Sequence, residues 1–148
     1  MAYQRSGSGA PLVLVHGTGG FSTRWKPILP ALEKCFTVYA VDRRGRGESG
    51  DGSNYAIERE FDDVAAVVDP IGNGVDLLGH SFGAVCALEA GLRTSHHSPS
   101  FSKAAIEAVN RALPNSRIVV LPGQQHIAMD TAPDLFVREV LAFLAKPA

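Results

Sequence analysis

Leu77-Leu78-Gly79-His80-Ser81-Phe82-Gly83-Ala84 sets a serine between two glycines where an apolar run gives way to a helical pattern. The spacing has a steric cause. A serine on so sharp a turn from strand to helix needs neighbours without side chains, because the two arms of the turn nearly touch. Short Gly/Ser patterns also arise by chance, so the flanks decide. Val75, Leu77 and Leu78 read as a buried strand, and Ala84, Val85, Ala87 and Leu88 as the helix after it. The Ser81 hydroxyl is then exposed above the strand end, which makes it a candidate nucleophile.

Toward the amino terminus, Leu12-Val13-Leu14-Val15 is another short apolar run, and His16-Gly17-Thr18-Gly19-Gly20 follows it at once. Backbone amides in such a glycine-rich loop can point into open space rather than into a ladder, as an oxyanion site requires. Tyr3-Gln4-Arg5 reads as a short edge strand. Trp25, Ile28, Leu29 and Leu32 recur at helical spacing, with Pro30 limiting that helix. Phe36 to Val41 is the next strand, ending in Asp42-Arg43-Arg44-Gly45-Arg46-Gly47-Glu48-Ser49-Gly50. Those glycines satisfy Gly-x-Gly-x-x-Gly, and Asp69 follows at the distance of a ribose-binding acid. A dinucleotide site nevertheless needs a helix directly behind the glycines, and Asp51-Gly52-Ser53-Asn54 are turn formers. Asp42 and the arginines are expected instead to tie the loop down by ion pairs and backbone hydrogen bonds.

A second helix runs from about Ile57 through Phe61, Val64, Val67 and Val68, with Glu58, Glu60, Asp62 and Asp63 on its other face, Asp62 and Asp63 reading as solvated, and with Pro70 and Gly72 stopping it. The helix after Ser81 extends to about Leu92 and gives way to a connecting loop, Arg93 to Ser100. Ala104, Ala105, Ile106, Val109 and Leu113 mark a further helix. Arg117-Ile118-Val119-Val120-Leu121 reads as the last strand, Pro122-Gly123-Gln124-Gln125-His126 follows it, and Phe136, Val137, Val140, Leu141 and Leu144 form a closing helix. Strands that are short continuous apolar runs, alternating with helices, predict an α/β fold: a mostly parallel sheet with helices on both faces.

Bulk properties agree with one compact domain over residues 1–148. Chains of this size bury roughly 68–70% of their unfolded surface. Lys and Arg number 14 against 15 Asp and Glu, a net charge of -1, and no basic run exceeds Arg43-Arg44 with Arg46, so no nucleic-acid partner is expected. Residues 1–9 lack the apolar core of a signal peptide, and no apolar run approaches the roughly 20 residues of a membrane span. A cytoplasmic protein without a membrane partner is the expectation. Cys35 and Cys86 lie in apolar segments and read as buried free thiols.

His16 to Gly20 after one strand, Gly79 to Gly83 after a later one, and Gly123 to His126 after the last follow one another in a set order. The chain thereby resembles the α/β-hydrolase fold family. Asp42 to Ser49 is similar to the Asp-x-Arg-Gly-x-Gly-x-Ser loop common in that family, which accounts for the extra glycines. The resemblance covers nearly the whole chain and implies a minimal version of the fold without a cap domain. It implies Ser81 as nucleophile, His126 as general base, and the amides of Thr18 and Phe82 as the oxyanion hole, with Gly19 assisting. His16 is expected to orient the oxyanion loop and His80 to pack beside the elbow. The implied reaction is hydrolysis of small, short-acyl carboxylic esters through an acyl-enzyme, with no metal and no cofactor. His96-His97 lacks neighbours that would complete a metal site.

Departures from the family matter too. Its longer members have two more strands and often a helical cap after the nucleophile's helix, an interval reduced here to Arg93–Phe101. Where relatives carry the catalytic acid, this chain reads His96-His97-Ser98-Pro99, without a carboxylate. Asp130, Asp134, Glu48 and Glu89 are candidate substitutes, but capping of the closing helix is the expected role of Asp130 and Asp134, and the orienting acid is assigned to none of the four. Losing an orienting acid lowers turnover in a serine protease by roughly 10⁴. With strands about 4.8 Å apart, closing a gap of two brings the last strand roughly 10 Å nearer Ser81 and forces the His126 loop to be re-aimed. The alternative is a homodimer, domain-swapped from about Ser98. Two functions therefore compete at this level, an esterase and a catalytically inactive hydrolase-like scaffold serving as a binding or oligomeric module. Thioester, lactone and carbon–carbon cleavage fit the same motifs.

Overall fold

The structure is a computed structural model that describes residues 1–72, 74–95, 110–113 and 116–145. Its centre is β2 (Ala10–Val15), whose Leu12, Val13, Leu14 and Val15 are all wholly buried. Residues apolar on both faces belong between two layers. β3 (Phe36–Asp42) and β4 (Asp76–Gly79) flank β2 in parallel, and β1 (Ala2–Gly7) pairs antiparallel with the outer edge of β3, giving the order β1-β3-β2-β4.

Period-two alternation sorts the core. Leu12, Leu14, Val38 and Ala40 face Trp25, Ile28, Leu32, Met129 and Val137. Those partners come from a 3-10 turn (Ser22–Trp25) with α1 (Leu29–Leu32), and from α4 (Ala128–Thr131) with α5 (Pro133–Leu144). Val13, Val15 and Val41 face the other way, onto α2 (Ile57–Val68) and α3 (Phe82–Ser95), where Phe61, Val64 and Val67 meet Cys86, Ala87 and Ala90. The expected mostly parallel sheet with helices on both faces is what the chain forms. Each buried Phe or Val of α2 contributes about 1.5–3 kcal/mol on the area scale.

Register positions the site. Val15 pairs with Val41 on one side and with Gly79 on the other. The loops that begin at His16, Asp42 and His80 therefore leave the same end of the sheet side by side, where ligands bind in open α/β sheets.

Several expectations are corrected. The first helix is broken into the 3-10 turn and α1, because Pro27 removes an N–H donor between them and Pro30 can only open a new helix, yet its apolar stripe is buried as expected. Residues 117–121 form no strand, and Val120 is 79% exposed. A ladder needs a partner within about 4.8 Å. Here Val119 and Leu121 instead face Leu77, Leu78, Phe136 and Val140 across a cavity of about 310 Å³, and β4 is only half-buried as a result. Cys35, in the turn after α1, is exposed rather than buried. Cys86 is buried and free, and burial pushes its thiol up to about 12, so it stays protonated at neutral pH.

The loop at His96-His97, the proposed swap point near Ser98 and most of the helix expected over 104–113 lie outside the described residues; of that helix, 110–112 are helical. Among the described residues, no helix is long and apolar enough to cross a membrane.

Candidate active site

Ser81 has φ +55°, and among the described residues it is the one non-glycine in the left-handed region. That conformation costs about 1–3 kcal/mol and persists only where its surroundings enforce it. The enforcement is visible. His80 N–H donates to Val15 C=O at 3.0 Å, Gly83 N–H to His80 C=O at 2.9 Å, and Ala84 N–H to Ser81 C=O at 2.9 Å. A Cβ on Gly79 would strike the backbone of Gly83 and Ala84, and one on Gly83 would strike the carbonyls of Val15 and His16. The glycines flanking Ser81 are thus required by the close approach of backbones, as the sequence pattern predicts.

The loop opposite is anchored from beneath. His16, wholly buried, donates from Nδ1 to Gly17 C=O at 2.8 Å and accepts the Arg43 N–H at Nε2 at 3.0 Å. These partners define the neutral tautomer, and burial lowers the pKa of His16 below 6.5. Its expected role as orienter of the loop is the one it occupies. Arg43 is itself buried, with Nε 2.7 Å from Glu60, Nη1 donating to His16 C=O at 3.2 Å, and its guanidinium 4.7 Å over the Phe82 ring. One buried cation therefore ties α2, the loop after β2 and the first residue of α3 together.

Asp42 plays the matching part below the next loop. It accepts N–H donors from Ser22 at 2.6 Å and Glu48 at 3.1 Å, while its own carbonyl accepts the Ser49 hydroxyl. Burial alone would raise its pKa, but these hydrogen bonds outweigh it and hold the carboxyl below its usual value. Gly47, at φ +51°, sits where a Cβ would strike that carboxylate. No helix opens behind the glycines; the next begins at Ile57.

A cleft of about 270 Å³ lies above the strand ends, lined by Thr18, Gly19, Arg24, His80, Ser81 and His126 among others. Three of the four expected site residues thus share one cavity. Among the described residues, neither the Thr18 nor the Phe82 amide N–H is taken up by another backbone carbonyl, whereas those of Gly20, Gly83 and Ala84 are. Phe82 does not line the cleft with its ring, which lies against Arg43. Its amide opens α3, where the helix dipole adds partial positive charge.

His126 reaches the cleft by a connection the sequence does not signal. His80 Nε2–H donates to the His126 carbonyl at 2.8 Å, and the two rings lie 4.7 Å apart at 41°. His80 therefore does more than pack beside the elbow. Its donation leaves Nδ1 as an acceptor, buried and without a partner. A second bridge joins Arg24 to Asp130. Among the described hydrogen bonds, none joins Ser81 to His126 and none joins a carboxylate to the His126 ring. Asp130 is engaged by Arg24, and Asp134 is exposed.

The sequence profile of the alpha/beta hydrolase family matches residues 12–145. The chain belongs to the alpha/beta hydrolase family. Among family members, a soluble epoxide hydrolase of Corynebacterium sp. strain C12 is 38% identical over 89 residues, 59% of this chain and 31% of that protein. A pimeloyl-[acyl-carrier protein] methyl ester esterase of Photobacterium profundum is 36% identical over 92 residues, 62% of this chain and 35% of that protein. The solved structure of an alpha/beta hydrolase from Sphaerobacter thermophilus is 44% identical with a TM-score of 0.58, covering 62% of this chain and 36% of that one. The chain thus spans about a third of the length of the relatives it matches, and the relatives are hydrolases of different bonds.

Proposed function

We propose that the protein is a serine hydrolase that cleaves small carboxylic esters through an acyl-enzyme on Ser81. The observation that carries this reading is Ser81 held at φ +55° in the cleft that His126 and the loop at Thr18 also line. Ser81 Oγ attacks the acyl carbonyl while His126 takes its proton. The Thr18 and Phe82 amides bind the oxyanion, and His126 then protonates the leaving alcohol. Water, activated by His126, attacks the acyl-enzyme and releases the acid. Among the described residues no carboxylate orients His126, so turnover is expected to be slow, on the scale of the roughly 10⁴ loss seen when a triad acid is removed. An esterase stands among the relatives, beside an epoxide hydrolase. The serine at the elbow supports covalent acyl transfer.

The test is fluorophosphonate labelling together with turnover of p-nitrophenyl acetate by the wild type and Ser81→Ala. Labelling and turnover lost in Ser81→Ala are the expected result; equal rates in both proteins refute the proposal. A second reading, an inactive hydrolase-like scaffold that binds or assembles, is favoured by a His126 that no carboxylate among the described residues orients and by the open cavity beside β4. A folded, monodisperse sample that neither labels nor turns over selects it.

A further inference from the structure

Of the side chains lining the cleft, Arg24 alone carries a fixed charge, and none is acidic. Its mount is firm: the 3-10 turn that carries it is pinned by the Ser22 N–H bond to Asp42 and by the wholly buried Trp25. Nη2 of Arg24 donates to Asp130, which lies outside the cleft lining, and the Arg24 side chain remains 34% exposed. A guanidinium presents five N–H donors in a planar fork, so an edge is left for a second carboxylate. Beside it stand the loop amides and His126, none of which repels an anion.

We propose that Arg24 is a substrate-anchoring residue and that the preferred ester carries a carboxylate on its acyl group. This rests on the reading of Ser81 as nucleophile. With Asp130 paired to Arg24, a bound monoanion leaves the group one negative charge and a phosphate dianion two, so the site suits the monoanion better. The reaction itself is unchanged. The acyl–oxygen bond breaks, the alcohol leaves with the proton from His126, and water supplies the hydroxyl of the released acid. The anchored carboxylate stays intact and fixes the scissile carbonyl over Ser81, a positioning gain of the kind that holds reacting atoms in register.

The probes are p-nitrophenyl hydrogen glutarate and its neutral methyl ester, compared as a ratio of kcat/KM after subtraction of the uncatalysed rates. The wild type should prefer the anionic ester. Arg24→Gln should lower the ratio about 10- to 100-fold, the scale of a lost charge-assisted hydrogen bond. Asp130→Asn breaks the same bridge to α4 but frees the guanidinium, so the ratio should rise. An unchanged ratio in Arg24→Gln, or an equal fall in both variants, overturns the proposal and leaves Ser81 chemistry standing. Binding of monomethyl glutarate to Ser81→Ala, read by calorimetry with and without Arg24→Gln, needs no turnover. Arg24-dependent binding without turnover in the wild type would refute Ser81 as nucleophile and keep the anion site; binding indifferent to Arg24 would refute the anion site.

Discussion

Behind Ser81 stand two glycines packed against backbone, a ladder of amide bonds and a buried Arg43–Glu60 pair, whereas the loop at His126 is held by more exposed contacts, among them the hydrogen bond from His80, the Arg24–Asp130 bridge and the bond from Thr131 to Gln124, with Met129 buried just beyond it. The elbow and the loop after β2 are fixed mainly by the sheet and by α2 and α3, with Met129 and Val137 closing the other face. The His126 loop is delivered across an open cavity. The protein therefore holds Ser81 rigidly and His126 by a lighter tether. The lighter hold on His126 goes with residues 117–121 staying out of the sheet.

The largest test of this contrast is Glu60→Ala. It strands a buried guanidinium, so stability should fall by about 3–5 kcal/mol in denaturant melts. Removing the exposed Arg59–Asp62 pair should change it by less than about 1 kcal/mol. Equal effects would show that the elbow side is no firmer than the surface. Next in size is His80→Phe, which keeps a ring but removes the donor to the His126 carbonyl. One net hydrogen bond is worth about 1 kcal/mol, so kcat on p-nitrophenyl acetate should fall about 5-fold with KM little changed. His80→Gln, which restores an N–H at similar reach, should recover most of it. An unaltered kcat in His80→Phe would mean the tether does not position His126 for turnover.

The smallest expected effect concerns acid. The folded pKa of His16 lies below its unfolded value of 6.5, chiefly through burial. Below that value the unfolded chain binds the proton that the folded chain refuses, so the stabilisation is present above about pH 6.5 and is lost as pH falls toward the folded pKa. Protonation at Nε2 would set an N–H against the Arg43 N–H it now accepts. Melts between pH 7 and 5 should show stability falling on acidification, with a shallower slope in His16→Gln.

What could be read from the sequence was local. The glycines around Ser81, the apolar runs of β2 and β3 and the stripe of α2 each announce themselves within a dozen residues, because sterics and periodicity act at that range. Asp42 as the hub of its loop was legible for the same reason. The fate of residues 117–121 was not, since an apolar β-branched run becomes a strand only when a neighbour offers its free edge at the right distance. His80 to His126 and Arg24 to Asp130 are contacts between residues 46 and 106 positions apart. No spacing rule predicts such meetings. Cys35 misled because its apolar neighbours are buried by a turn whose tip faces water.

Trp25 is the chain's single tryptophan, and it is wholly buried in the cluster that includes Met129 and Val137. Its surroundings therefore draw on both the well-anchored and the tethered portions of the molecule. That makes its emission an optical gauge of docking. A blue-shifted band reports α4 and α5 in place, and a shift to the red at denaturant concentrations below global unfolding would report their departure, with His126 carried away from a Ser81 still in position.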